Sequence, residues 1–92
     1  MRFVWDDTKS RTNLRKHGIS FEIAANVFDG PMLVARDDRE DYGEDRFIGI
    51  GTVDQRFLVV IYAEQEPDLV RIISARKAER HEREAFQKTF KG

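Results

Sequence analysis

No cysteine occurs among the 92 residues. That excludes disulfides, a thiolate-held zinc and a thiol nucleophile, and it suits a reducing cytoplasm. No run of about 18 apolar residues exists, so no helical membrane span is expected. The opening residues, Met1-Arg2-Phe3-Val4-Trp5-Asp6-Asp7, lack the apolar core of a secretory leader, and no signal peptide is expected. Neither a P-loop nor a GxGxxG fingerprint is present; Gly49-Ile50-Gly51 falls inside an expected strand. No histidine spacing suggests zinc, and no Ser-His-Asp order stands out. Nothing calls for a cofactor. There is no internal repeat, low-complexity segment or linker, so residues 1–92 read as one small domain with one modest core.

What the chain does have is charge, unevenly spread. The net value is −1. Residues 1–18 hold five basic groups against two acidic, a balance of +3. Residues 71–92 hold seven against three, or +4, while residues 19–70 hold four against twelve, or −8. A field depends on where charges lie, so the near-neutral total does not exclude a polyanion partner. It does argue against non-specific nucleic-acid binding by the whole surface.

Local signals give an element order. Residues 2–5 are rich in β-formers. Asp6 or Asp7 caps a helix reaching about Lys16, with His17 in its last turn and Gly18 as the stop. Ser20 caps a second helix over residues 21–28, with Phe21, Ala24, Ala25 and Phe28 as its apolar stripe. Gly30-Pro31 ends it. Strands are expected at 32–35, 46–53, 57–63 and 70–75, and the third of these, apolar on both faces, is central. A charged loop over 36–45 and turns at 54–56 and 64–68 separate them. A helix over 77–90 closes the chain. The order is β-α-α-β-β-β-β-α. Consecutive strands with short turns imply an antiparallel sheet with two N-terminal helices and a C-terminal helix, in the α+β class.

Three groups of residues can carry chemistry. In the first helix Lys9, Asn13, Lys16 and His17 fall on one side, and the only strong apolar residue is Leu14. This face either looks into a cleft, with lysines for phosphate oxygens and His17 to move protons, or is simply solvated with Asn13 and His17 bonded to backbone. The sheet arginines Arg46, Arg71 and Arg76 form the second group. Their planar forks suit phosphate, or else they pair with the acids of the middle segment and of the last helix. Strand parity puts Arg71 with Ile73 and Ala75, and Arg76 on the other face unless a bulge intervenes. Glu82 is the third candidate, a carboxylate base near the basic region or a local ion-pair partner. Trp5, Phe47 and Tyr62 can stack bases or pack the core. Asp37, Asp38, Glu40 and Asp41 match no calcium loop and read as solvated.

These segments line up with a family. Trp5-Asp6, Lys9, Asn13-Leu14-Arg15-Lys16-His17-Gly18, Ser20-Phe21-Glu22, Val27-Phe28, Tyr42-Gly43-Glu44-Asp45-Arg46-Phe47, Val59-Val60-Ile61-Tyr62 and Arg71-Ile72-Ile73-Ser74-Ala75-Arg76 resemble the BrnT toxins. The resemblance covers nearly the whole chain, in order. It implies a RelE-like ribonuclease fold and a toxin of a bacterial type II toxin–antitoxin system. It also implies a BrnA-like antitoxin as partner in a heterotetramer, with operator DNA reached only through that antitoxin. One departure is Glu84-Ala85-Phe86-Gln87, which lacks the tyrosines of the family's last helix. The expected activity is metal-independent cleavage of RNA, with Arg71, Arg76, His17 and Glu82 catalytic and Lys9, Asn13, Lys16 and Arg46 on phosphates. The competing reading is a non-catalytic binding module whose basic face docks an acidic protein.

Overall fold

The computed structural model describes residues 1–91. A five-stranded sheet runs in the order β1-β5-β4-β3-β2, with β1 at Arg2–Val4, β2 at Leu33–Arg36, β3 at Phe47–Val53, β4 at Arg56–Glu66 and β5 at Leu69–Lys77. Strands β2 to β5 form the expected antiparallel meander. Its β3–β4 turn puts Asp54 and Gln55 at positive φ, which matches the twist of the flanking strands. The purely antiparallel expectation is corrected at the edge, because β1 pairs parallel to β5 and makes the sheet mixed. A parallel pair cannot be closed by a tight turn. Here the pairing, Arg2 to Leu69 through Val4 to Arg71, joins segments far apart in sequence, so no local signal reveals it.

Among the described residues three α-helices flank the sheet: α1 (Asp7–His17), α2 (Phe21–Ala25) and α3 (Arg80–Thr89). Asp6 caps α1 by accepting from the Lys9 amide, and Gly18 ends it in the left-handed region at φ 72. Ser20 caps α2, whose expected continuation to residue 28 tightens into a 3-10 turn at Asn26–Asp29. The last helix starts later than its apolar pattern suggests, because β5 extends through Lys77.

The sheet is buried on both faces. Ile19, Phe21, Ala24 and Val27 pack on Leu58, Val60, Tyr62, Val70, Ile72 and Ala75. Phe86 of α3 packs on Ile50, Val59 and Ile61 on the other side. Val59 and Val60 are both fully buried, which is why β4 is apolar at successive positions.

Helix α1 docks in a different way. Its buried residues are Ser10 and Asn13, both polar, while Leu14 is exposed. The Ser10 hydroxyl accepts the Phe21 amide at 3.0 Å. The Asn13 amide donates to the Ile19 carbonyl at 2.7 Å and the Ala75 carbonyl at 2.9 Å, and its oxygen accepts the Ala75 amide at 3.3 Å. Beyond Val4 the outer edge of β5 has no neighbouring strand among the described residues, and Asn13 supplies the pairing that a strand would give.

Candidate active site

One feature of β5 decides where its arginines lie. The β4–β5 register shifts between Ile61 and Tyr62, where Tyr62 faces Ile72 and Ile61 faces Ser74. Ile73 is therefore an extra residue, a bulge that reverses strand parity. Ile72 and Ala75 share the α2 core, and Arg71 and Arg76 come to lie together on the α3 face. This corrects the parity expectation, which put Arg71 with Ala75.

The bulged segment also floors a groove against α1. Thr8, Lys9, Thr12, Asn13, Lys16, His17, Ile73 and Ser74 line one part, of about 280 Å³. Asp6, Lys9, Arg46, Arg71, Ile72 and Ile73 line a second, of about 240 Å³. Lys9 and Ile73 belong to both, so the two parts are continuous. Of the eight sequence candidates, Lys9, Asn13, Lys16, His17, Arg46 and Arg71 meet here. Asn13 lines the wall with its polar atoms already spent on backbone.

Arg76 and Glu82 lie outside this groove and hold each other. Two parallel bonds join them, at 2.7 and 2.8 Å, and the Glu82 side chain is 13% exposed. Glu82 also accepts the Glu79 amide at 2.8 Å and so closes the capping box of α3. Its hydrogen bonds from Arg76 hold its carboxyl below the usual range, against the effect of burial. A carboxylate so stabilised is a poor proton acceptor, and a guanidinium so engaged is a poor phosphate ligand.

Arg46 and Arg71 are tied more loosely. Glu44, not among the sequence's site candidates, bridges them: one of its oxygens accepts from Arg71 and from Arg46, the latter at 3.2 Å. The Arg46 guanidinium also stacks over Tyr42 at 4.1 Å. All three members of the bridge reach solvent, with side-chain exposures of 24% to 38%. Pairs of this kind are worth at most about 1 kcal/mol, so another anion can take the place of Glu44. Among the other ion pairs of the acidic loop is Arg39 to Asp37, at 2.7 and 2.8 Å. Its bonds lower the Asp37 carboxyl from its ordinary value. Among the described residues no cluster of three or more His, Asp or Glu groups forms a metal cage.

The aromatic candidates are packed inward. Tyr62 is buried between Phe28 and Phe47, at centroid distances of 4.9 and 5.6 Å, and burial raises its hydroxyl pKa. It is no stacking platform. Trp5 is half-buried against Phe21 at 6.4 Å.

The class to which this chain belongs is that of the ribonuclease toxins of type II toxin–antitoxin systems. The model of the family described as the ribonuclease toxin BrnT of these systems matches residues 5–82, and the chain belongs to that family. The crystal structure of the Brucella abortus ribonuclease toxin BrnT superposes with a TM-score of 0.64, over 87% of this chain and 99% of that one. At 24% identity that likeness speaks to the fold. No curated protein gives a significant sequence match.

Proposed function

We propose that this chain is an endoribonuclease that cuts RNA without a metal, by transesterification at the groove between α1 and β5. The observation that supports it most is the meeting of Lys9, Lys16, His17, Arg46 and Arg71 around one cavity on a chain of net charge −1. RNA brings its own nucleophile, the 2′-hydroxyl. Its oxygen bonds to the adjacent phosphorus, the bond from phosphorus to the 5′-oxygen breaks, and a 2′,3′-cyclic phosphate and a 5′-hydroxyl result. The protein has to accept one proton, deliver another and stabilise charge on the phosphorane. Arg71 and Arg46 do the last, after the scissile phosphate displaces Glu44. His17 moves protons, and Lys9 and Lys16 hold flanking phosphates. Arg76 and Glu82 leave the catalytic set and serve to anchor α3.

The remaining features follow the family. The fold is of the RelE type, residues 1–92 act as a single toxin-like domain, and the site of action is the cytoplasm. A BrnA-like antitoxin neutralises the toxin in a heterotetramer and alone contacts operator DNA. Among the described residues no helix is long and apolar enough to cross a membrane.

The test is RNA cleavage by the purified chain in EDTA, beside Arg71→Ala. Wild-type cleavage, with none by a mutant whose melting curve is unchanged, is the expected result. Cleavage that needs added metal, or that survives in the mutant, overturns the proposal. Because Glu84-Ala85-Phe86-Gln87 lacks the tyrosines that the family resemblance implies for the last helix, growth arrest on induction should be read in parallel.

A further inference from the structure

A second cationic cavity, of about 260 Å³, lies at the opposite end of β5. Gln55, Arg56, Phe57, Lys77, Ala78 and Arg83 line it. Three of the six are cations and none is an acid. The contrast with the rest of the sheet is sharp. Arg36, Arg46, Arg71 and Arg76 each have a carboxylate within 4 Å, and among the described residues Arg56, Lys77 and Arg83 have none. Three elements converge to make this cavity. The β3–β4 turn, with its two residues at positive φ, brings Gln55 and Arg56 to the rim. The end of β5 contributes Lys77, and α3 swings Arg83 across from the other side. The floor is Phe57, half-buried and fixed edge-on against Phe86 at 5.6 Å.

Uncompensated like charges around one cavity repel each other unless an anion joins them. Guanidinium forks suit phosphate oxygens, an amide can bond a base edge, and a ring face takes a stacked base without regard to sequence. We propose that this cavity is a second RNA subsite, which binds a phosphodiester and base of the strand flanking the cut. The proposal rests on the ribonuclease reading above. The six steps from Arg71 to Lys77 span roughly 20 Å of strand, so an RNA strand that fills both sites must be an oligonucleotide. A dinucleotide fills the groove alone.

The experiment compares wild type with the double variant Arg56→Gln/Arg83→Gln, at positions exposed enough for the fold to survive. Cleavage of a dinucleotide and of an RNA of about twelve nucleotides is followed. For the longer RNA, KM should rise about tenfold with kcat within about twofold, and the dinucleotide kinetics should not change. Equal KM values for the longer RNA overturn the subsite and leave the cavity to an acidic protein partner. Binding of an uncleavable 2′-deoxy oligonucleotide by fluorescence anisotropy separates the two readings. If neither protein cleaves but the double variant binds about tenfold more weakly, the subsite stands and the ribonuclease assignment falls. Equal binding overturns the subsite whatever the activity.

Discussion

At the scale of single residues, similar side chains have been given opposite jobs by their partners. Asn13 and Lys9 share one face of α1, yet Asn13 spends every polar atom on backbone while Lys9 reaches the groove. Asn13→Ala strands the Ala75 carbonyl and amide at the edge of β5 and the Ile19 carbonyl beyond α1. It should cost about 2–4 kcal/mol in urea unfolding. KM for RNA should stay unchanged in the folded fraction; a raised KM with normal stability would return Asn13 to the phosphate ligands. Glu44 is the converse case. Removal of its charge leaves Arg46 and Arg71 free for phosphate, so Glu44→Gln should lower KM for RNA by a few-fold, read in the same cleavage assay. A raised KM would mean that Glu44 positions the arginines for catalysis. The helical spacing of Lys9, Asn13, Lys16 and His17 was legible, because four positions on one helix share a face whatever surrounds them. The split between structural and free members was not, since Ala75 lies 62 residues from Asn13.

At the scale of elements, α3 depends on one ion pair. Glu82 bonds Arg76 on β5 and caps its own helix, so it fixes both the start of α3 and its seat on the sheet. Glu82→Gln should cost about 1–3 kcal/mol. The pH dependence follows from its lowered pKa. The native carboxylate binds its proton less readily than the usual value of 4.5. Its contribution is whole above that value and fades as pH falls through the lower native one. Acid melts of the wild type should therefore lose stability below about pH 4.5, and Glu82→Gln should flatten that loss. Strand β3 offers another check. A side chain at Gly51 would meet Val27 at the packed 3-10 turn and the Pro31 carbonyl, while one at Gly49 would meet chiefly the flexible end of Met32. Gly51→Ala should lower thermal stability by about 1–3 kcal/mol, and Gly49→Ala by less. Equal effects would mean that the turn yields as easily as a methionine tip. The sequence placed both glycines inside a strand. What lies above them depends on where the 3-10 turn, about twenty residues earlier in the chain, packs.

At the scale of the whole molecule, the charge segregation takes on a shape. The basic ends of the chain meet, because β1 and α1 lie against β5. The acidic middle supplies the loop over residues 37–45, whose carboxylates mostly answer arginines nearby. RNA should then bind at the basic side alone, with modest salt dependence for so few phosphate contacts. Lys16→Ala should weaken binding evenly across RNA sequences and reduce the slope of log K against log salt by about one, measured by anisotropy between low and moderate salt. A slope unchanged by this variant would remove Lys16 from the phosphate track.

The amino-acid sequence determined the local elements, since caps such as Asp6, Ser20 and Gly18 and the apolar run of β4 act through neighbours along the chain. It also determined the family, through segments that keep their order and spacing. Tertiary structure decided the parallel seat of β1, the bulge at Ile73 that puts Arg71 and Arg76 on one face, and which arginines remain available. Each depends on groups brought together from distant parts of the chain. A guanidinium next to one carboxylate is an anchor, and next to an open cavity it is a binding site, a difference that no residue carries by itself.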